Sequence, residues 1–164
     1  MPVHLFYQKY LPTVEASVID TYYFRHFKPY ADRASLFLGM KGLMKKLHKQ
    51  GIALFVFSTV EQNLLENLCE KHGIRPFFKE VKGSVWDKEK DLPLFCRTNK
   101  FDSSQTLFIG DMEHDMVAAH KAGISSGAIL YGYQIADRLT QHQPDYVWES
   151  PQALTQFLTK ELLK

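Results

Sequence analysis

Two aspartates carry the first sign of chemistry. The run Thr106-Leu107-Phe108-Ile109 is mostly apolar and strand-like, and it leads into Gly110-Asp111, with Asp115 four residues further on. Such a run reads as a buried parallel strand. Ligands of open α/β sheets sit beyond the carboxyl ends of the strands. Asp111 therefore stands where such a sheet does its chemistry, and Asp115 lies on the turn into a helix expected over residues 116–122. Two carboxylates at one strand end repel each other unless something neutralises them. A hard cation with oxygen ligands, Mg²⁺, would do so. The same spacing also suits an N-capping aspartate followed by a solvated one.

A second strand end offers hydroxyls. Residues 52–57 are apolar without alternation, as in a strand buried on both faces, and they end in Ser58-Thr59. A hydroxyl there can donate to a phosphate oxygen, and the backbone N–H groups opening a helix at 61–72 favour an anion. Ser58 or Thr59 also suits the N-cap of that helix, and the two roles are compatible. Lys88 and Lys90 lie in a charged loop, 83–91, with Asp87, Glu89 and Asp91. Either lysine could bring a positive charge to a phosphate and hold the carboxylates in place, or simply be solvated.

The elements that must position these groups follow from periodicity. Residues 2–10 are short, apolar and aromatic. From 12 to 34, Val14, Val18, Tyr22, Phe24 and Phe27 recur at helical spacing, and Pro29 suggests two shorter helices. An amphipathic helix is expected over 40–50, closed by Gly51. Further helices are expected at 92–99 and 151–163, with a loop or short helix at 133–141. Weaker strands are expected at 77–82, 127–131 and 146–148. Strands alternating with helices predict an α/β fold with a mainly parallel, Rossmann-like sheet flanked by helices.

Bulk properties narrow the function classes. A chain of 164 residues with 45% hydrophobic and 23% charged residues is an ordinary globular composition. A net charge of +2 gives no reason to expect a nucleic-acid or membrane partner. Cys69 and Cys96 are too few and too far apart for a disulfide framework or a zinc site. No apolar run approaches ~18 residues, and no signal-peptide pattern opens the chain, so a cytoplasmic protein is the expectation.

Taken together, these residues resemble the haloacid dehalogenase (HAD) superfamily, in its phosphoglycolate-phosphatase-like branch. Phe55-Val56-Phe57-Ser58 is similar to the second motif of that family, and Gly110-Asp111-x-x-x-Asp115 to the fourth. Lys88, followed by Pro93-Leu94, resembles the third motif better than Lys90 does. Leu36-Phe37-Leu38-Gly39-Met40 resembles the junction between the family's cap and core. Tyr131-Gly132-Tyr133 and Pro144-Asp145-Tyr146-Val147 resemble its late strands. The resemblance implies a HAD-like core over 35–164 and an N-terminal helical segment, 1–34, corresponding to the end of a cap. It implies a Mg²⁺-dependent hydrolase of a small phosphorylated metabolite. Lys88 is then the catalytic lysine, Ser58 and Thr59 the phosphate binders, and Asp111 and Asp115 the metal ligands.

One motif of that family is missing. Its members begin with a strand carrying Asp-x-Asp, the first aspartate a nucleophile and the second a general acid/base, and this sequence has no such pair. The resemblance implies a chain that starts partway through the cap and lacks the middle strand of the sheet. Three candidates could fill the gap: a short strand at 3–7, a segment of a second copy or complementary chain, or direct closure of the flanking strands. In the first, Tyr7 takes the nucleophile position and Lys9 the acid/base position. The expected functions are a HAD hydrolase inactive alone, a non-catalytic phosphate- or partner-binding protein, or a subunit needing a complementary chain. Weak or absent Mg²⁺ binding is expected in each.

Overall fold

In a computed structural model, residues 9–31 and 33–162 of the chain are described. Helices and parallel strands alternate as periodicity predicts. They are α1 (Ala16–Ala31), α2 (Met40–Lys49), β1 (Leu54–Phe57), α3 (Gln62–Lys71), β2 (Phe78–Lys82) and α4 (Lys88–Thr98). After these come β3 (Leu107–Gly110), α5 (Glu113–Ala122), β4 (Ser125–Ile129), α6 (Ala136–Thr140), β5 (Tyr146–Trp148) and α7 (Pro151–Leu162). None of the described helices is long and apolar enough to cross a membrane.

The chain forms two compact units, one of residues 9–86 with 155–162, the other Asp87–Leu154. In the first, β1 and β2 pair in parallel, with Phe57 opposite Lys82. Their core is Leu65, Cys69, Ile74 and Val81, with Met44, Val56 and Phe78 packed against it. The helix α2 buries Leu43 and Leu47 and leaves its lysines on the other side, and Gly51 beyond it takes a left-handed φ of 78°. Segment 12–34 forms a single helix instead of two. Pro29 falls in the last turn of α1, where its missing N–H removes one hydrogen bond close to an end that frays anyway. Val18 and Tyr22, part of the periodic apolar stripe, are exposed.

In the second unit, β3, β4 and β5 form a parallel sheet in that order. Met116, Ala128 and Leu139 are fully buried in its core. Gly127 of β4 lies beneath Trp148 of β5: a methyl group at that position would stand 2.5 Å from the indole ring. The bond network that joins the two strands' ends centres on Ser126. Its backbone N–H and its Oγ both donate to Asp145 Oδ2, at 2.8 and 2.9 Å. Its Oγ in turn accepts from the Asp145 N–H at 3.1 Å and lies 3.1 Å from His120 Nε2. A hydroxyl that donates once and accepts twice is saturated, which makes His120 Nε2 the protonated nitrogen.

The strand β1 belongs to the sheet of one unit and β3 to that of the other. The candidate strand at 3–7, with Tyr7, lies outside the described residues. Lys9 is helical, as is Tyr10, so it is not part of a strand. The thiols of Cys69 and Cys96 are free and buried, and burial raises the pKa of both.

The Ser126 bonds hold the Asp145 carboxyl below its ordinary value of 3.8. The folded state thus binds fewer protons than the unfolded chain in that range. This contribution to stability is present above pH 3.8 and disappears as pH falls through the lowered value. Replacing Ser126 by Ala is expected to cost about 1–2 kcal/mol at neutral pH. In denaturant titrations across pH, the gap between wild type and variant should narrow on acidification, because protonation removes from the wild type what the substitution has already removed. A gap independent of pH would contradict this account of Asp145.

Candidate functional site

The site is built around a lysine that the sequence pattern assigns to a loop. Lys88 is instead the first residue of α4. Asp87 caps that helix by accepting the Lys90 N–H at 3.2 Å, and Glu89 and Asp91 in the first turn complement the helix dipole. Packing of α4 against α5 then sets Lys88 beside the end of β3. Its Nζ donates to Asp115 Oδ1 at 2.7 Å, with the side chains only 12% and 2% exposed. Lys90, the alternative, is exposed.

Asp115 is held on both oxygens. Its Oδ2 accepts the Met112 N–H at 3.1 Å, while its own N–H donates to the Met112 carbonyl at 2.9 Å. This reciprocal arrangement closes the N-terminus of α5. Gly110 makes room for it, since a Cβ there would collide with the Asp115 carboxylate. His114, also buried, puts Nε2 3.7 Å from Asp115 Oδ1. Burial pushes its pKa below 6.5, opposed by Asp115 and reinforced by Lys88, so the imidazole is neutral at pH 7. In the sequence the one signal for His114 is its place between the two aspartates.

Asp111 is half-buried and held from a later loop. Its Oδ2 accepts the Tyr133 N–H at 2.8 Å, and its carbonyl accepts the Gln134 N–H at 3.3 Å. Gly132 is required here, because a Cβ would run into the Asp111 side chain. Tyr131-Gly132-Tyr133, which resembles a late strand of the family in sequence, thus has a role at the site that its local pattern does not reveal.

Ser58 and Thr59 belong to the other unit, at the end of β1. Ser58 extends the ladder, donating its N–H to the Lys82 carbonyl at 2.8 Å, and its half-buried Oγ accepts the Val60 N–H at 3.2 Å. Neither residue is the N-cap of α3. That position is held by Glu61, whose carboxylate accepts the Asn63 and Leu64 N–H groups at 3.0 and 2.8 Å. The Gln62 N–H goes to Ser84 Oγ at 3.1 Å. An anion at this helix end must therefore compete with a carboxylate already seated there.

Mg²⁺ demands near-octahedral oxygen coordination. Of the four carboxylate oxygens of Asp111 and Asp115, three already accept a hydrogen bond from the protein, leaving Asp111 Oδ1. Among the described residues no group of three His, Cys, Asp or Glu side chains is set to hold a metal ion. These residues alone do not fit a Mg²⁺ site. What they can do is present one carboxylate oxygen and the edge of a buried ammonium to a polar ligand.

Comparison with known proteins agrees with this architecture. The profile of the haloacid dehalogenase-like hydrolase family matches residues 4–129, and the chain belongs to that family. Among curated relatives, the phosphoglycolate phosphatase of Aliivibrio fischeri is 31% identical over 117 residues, covering 68% of this chain and 52% of the relative. That of Vibrio parahaemolyticus is 26% identical over 120 residues, covering 70% and 53%. The chain spans about half the length of the curated relatives it matches. A chain from Clostridium acetobutylicum described as a predicted phosphatase superposes with a TM-score of 0.84 at 20% identity, covering 97% of this chain and 77% of that one. A haloacid dehalogenase-like family hydrolase from Streptococcus pneumoniae gives 0.79 at 23%, covering 96% and 77%. Identities this low speak for the fold.

Removing one partner of a buried ion pair leaves the other charge uncompensated, at a cost of roughly 3–5 kcal/mol. Lys88→Met should show a loss of that order in urea denaturation, and adding Asp115→Asn to it should recover part of the loss. Additive effects of the two substitutions would mean that the pair is not coupled.

Proposed function

We propose that this chain is a phosphatase-like protein that binds a small phosphorylated metabolite beside Asp111 and Lys88 and has no turnover of its own. The observation that carries the reading is the Lys88–Asp115 pair beside Asp111, in a sequence with no Asp-x-Asp pair. Likeness to phosphoglycolate phosphatases supports the substrate class, a small phosphorylated acid. Covalent phosphoryl transfer runs through an attacking carboxylate, and losing it removes the route instead of slowing one step. Lys88 can polarise a phosphate, and Asp111 can accept from it or help hold a cation. None of them is set to attack phosphorus. Tyr7 is a poor substitute, since a phenol with a pKa of about 10 stays protonated at neutral pH. Two buried, unbridged thiols support a reducing compartment, and we assign the protein to the cytoplasm.

The purified chain is expected not to hydrolyse p-nitrophenyl phosphate or phosphoglycolate above background with Mg²⁺ present. Turnover by the unmodified chain, abolished by Asp111→Ala, would refute the proposal and reveal an unidentified nucleophile. Turnover that appears only when a peptide carrying an Asp-x-Asp strand is added would make the chain one half of a split enzyme instead.

Mg²⁺ affinity is a separate check. With Asp111 and the Lys88-paired Asp115 as its candidate ligands, the chain should bind Mg²⁺ no tighter than the millimolar range in titration calorimetry. Micromolar binding would show that further ligands complete the site.

A further inference from the structure

The helix α5 follows the Asp111 turn, and the residue at its N-cap position is Met112. A thioether is only a weak acceptor, and the strong acceptor comes from far along the chain. Gln134 Oε1 accepts the N–H of Glu113, the first helical residue, at 2.5 Å. The same residue donates its own N–H to the Asp111 carbonyl at 3.3 Å, and its neighbour Tyr133 donates to Asp111 Oδ2 at 2.8 Å. Three hydrogen bonds thus join 133–134 to 111–113, and Gly132 lets the two backbones approach.

We propose that Gln134 is a positioning residue for Asp111. It locks the loop onto the start of α5, and the loop in turn fixes which oxygen of Asp111 faces outward. The functional meaning of this lock rests on the reading of Asp111 as the carboxylate that faces the bound group. The geometry is specific. The half-buried Gln134 side chain accepts from a first-turn N–H of α5, a donor with no acceptor four residues back inside the helix. Without it the loop loses its side-chain tie to the start of α5 and keeps the bonds that the Tyr133 and Gln134 N–H groups donate to Asp111. One of these is long, at 3.3 Å, and the loop is expected to open, taking the Tyr133 N–H away from Asp111. Asp111 would then rotate freely and its outward oxygen would lose its fixed direction.

The test uses the full chain and amide NMR. Gln134→Met keeps the length of the side chain and removes the acceptor, Gln134→Glu keeps an acceptor, and Gln134→Ala serves if the methionine variant folds poorly. Amide hydrogen exchange at Tyr133 should speed by about tenfold or more in the methionine variant, while amides of β4 keep their protection. It should return toward the wild-type rate in the glutamate variant. A purely stabilising role would instead raise exchange across the unit and leave Tyr133 unremarkable, which would overturn the proposal, as would wild-type exchange at Tyr133 in both acceptor-free variants. Mn²⁺ added to the wild type separates this from the functional reading. Failure of both Mn²⁺ and inorganic phosphate to perturb the Asp111 signals would sink the reading of Asp111 as the ligand-facing group, while the Tyr133 exchange still decides the role of Gln134.

Discussion

The buried contact between Lys88 and Asp115 constrains almost everything near it. Two charges removed from water lose several kcal/mol of hydration each, and only close geometry with further hydrogen bonds offsets that loss. Here the ammonium sits 2.7 Å from one carboxylate oxygen, and the other oxygen closes the start of α5. Both requirements reach into the sequence. The residue at 110 must lack a Cβ, α4 must begin where Lys88 can enter, and Asp115 must stand at the third position of its helix. The ion pair is therefore the point at which strand, helix start and neighbouring helix are made to agree.

A common device runs through the helix starts around these strands. Glu61 caps α3, Asp87 caps α4 and Asp115 closes α5, so each positive helix end faces a carboxylate of the chain itself. That supports local stability and makes each end a poorer host for a foreign anion. On the proposed reading, a phosphorylated ligand would rely on side chains, on the lysine above all, and would have to displace an internal carboxylate where a helix end takes part.

The sequence was legible where a signal is local. The apolar runs ending at Ser58 and Asp111 mark strand ends, glycines 51, 73 and 123 close helices with left-handed backbone, and β5 lies where alternation predicts. Three features were hidden for distinct physical reasons. Glutamate is not among the preferred N-cap residues, so Glu61 was passed over in favour of Ser58 and Thr59. The charged stretch 83–91 reads as a loop, yet Asp87 starts a helix there that runs on into the one expected at 92–99. Gln134 acts on Glu113 across 21 positions, a distance at which sequence pattern carries no information about pairing.

The placement of Trp148 has an optical consequence. The chain has two tryptophans, and Trp86 and Trp148 fall one in each compact unit. Trp148 is buried over Gly127 and stacked on Tyr146 with ring centroids 5.9 Å apart, so its emission belongs to a dry, quenched environment that exists only while β5 lies on β4. Trp86 is half-buried. The Trp148 part of the intrinsic fluorescence thus reports on the unit that contains Asp111 and Lys88.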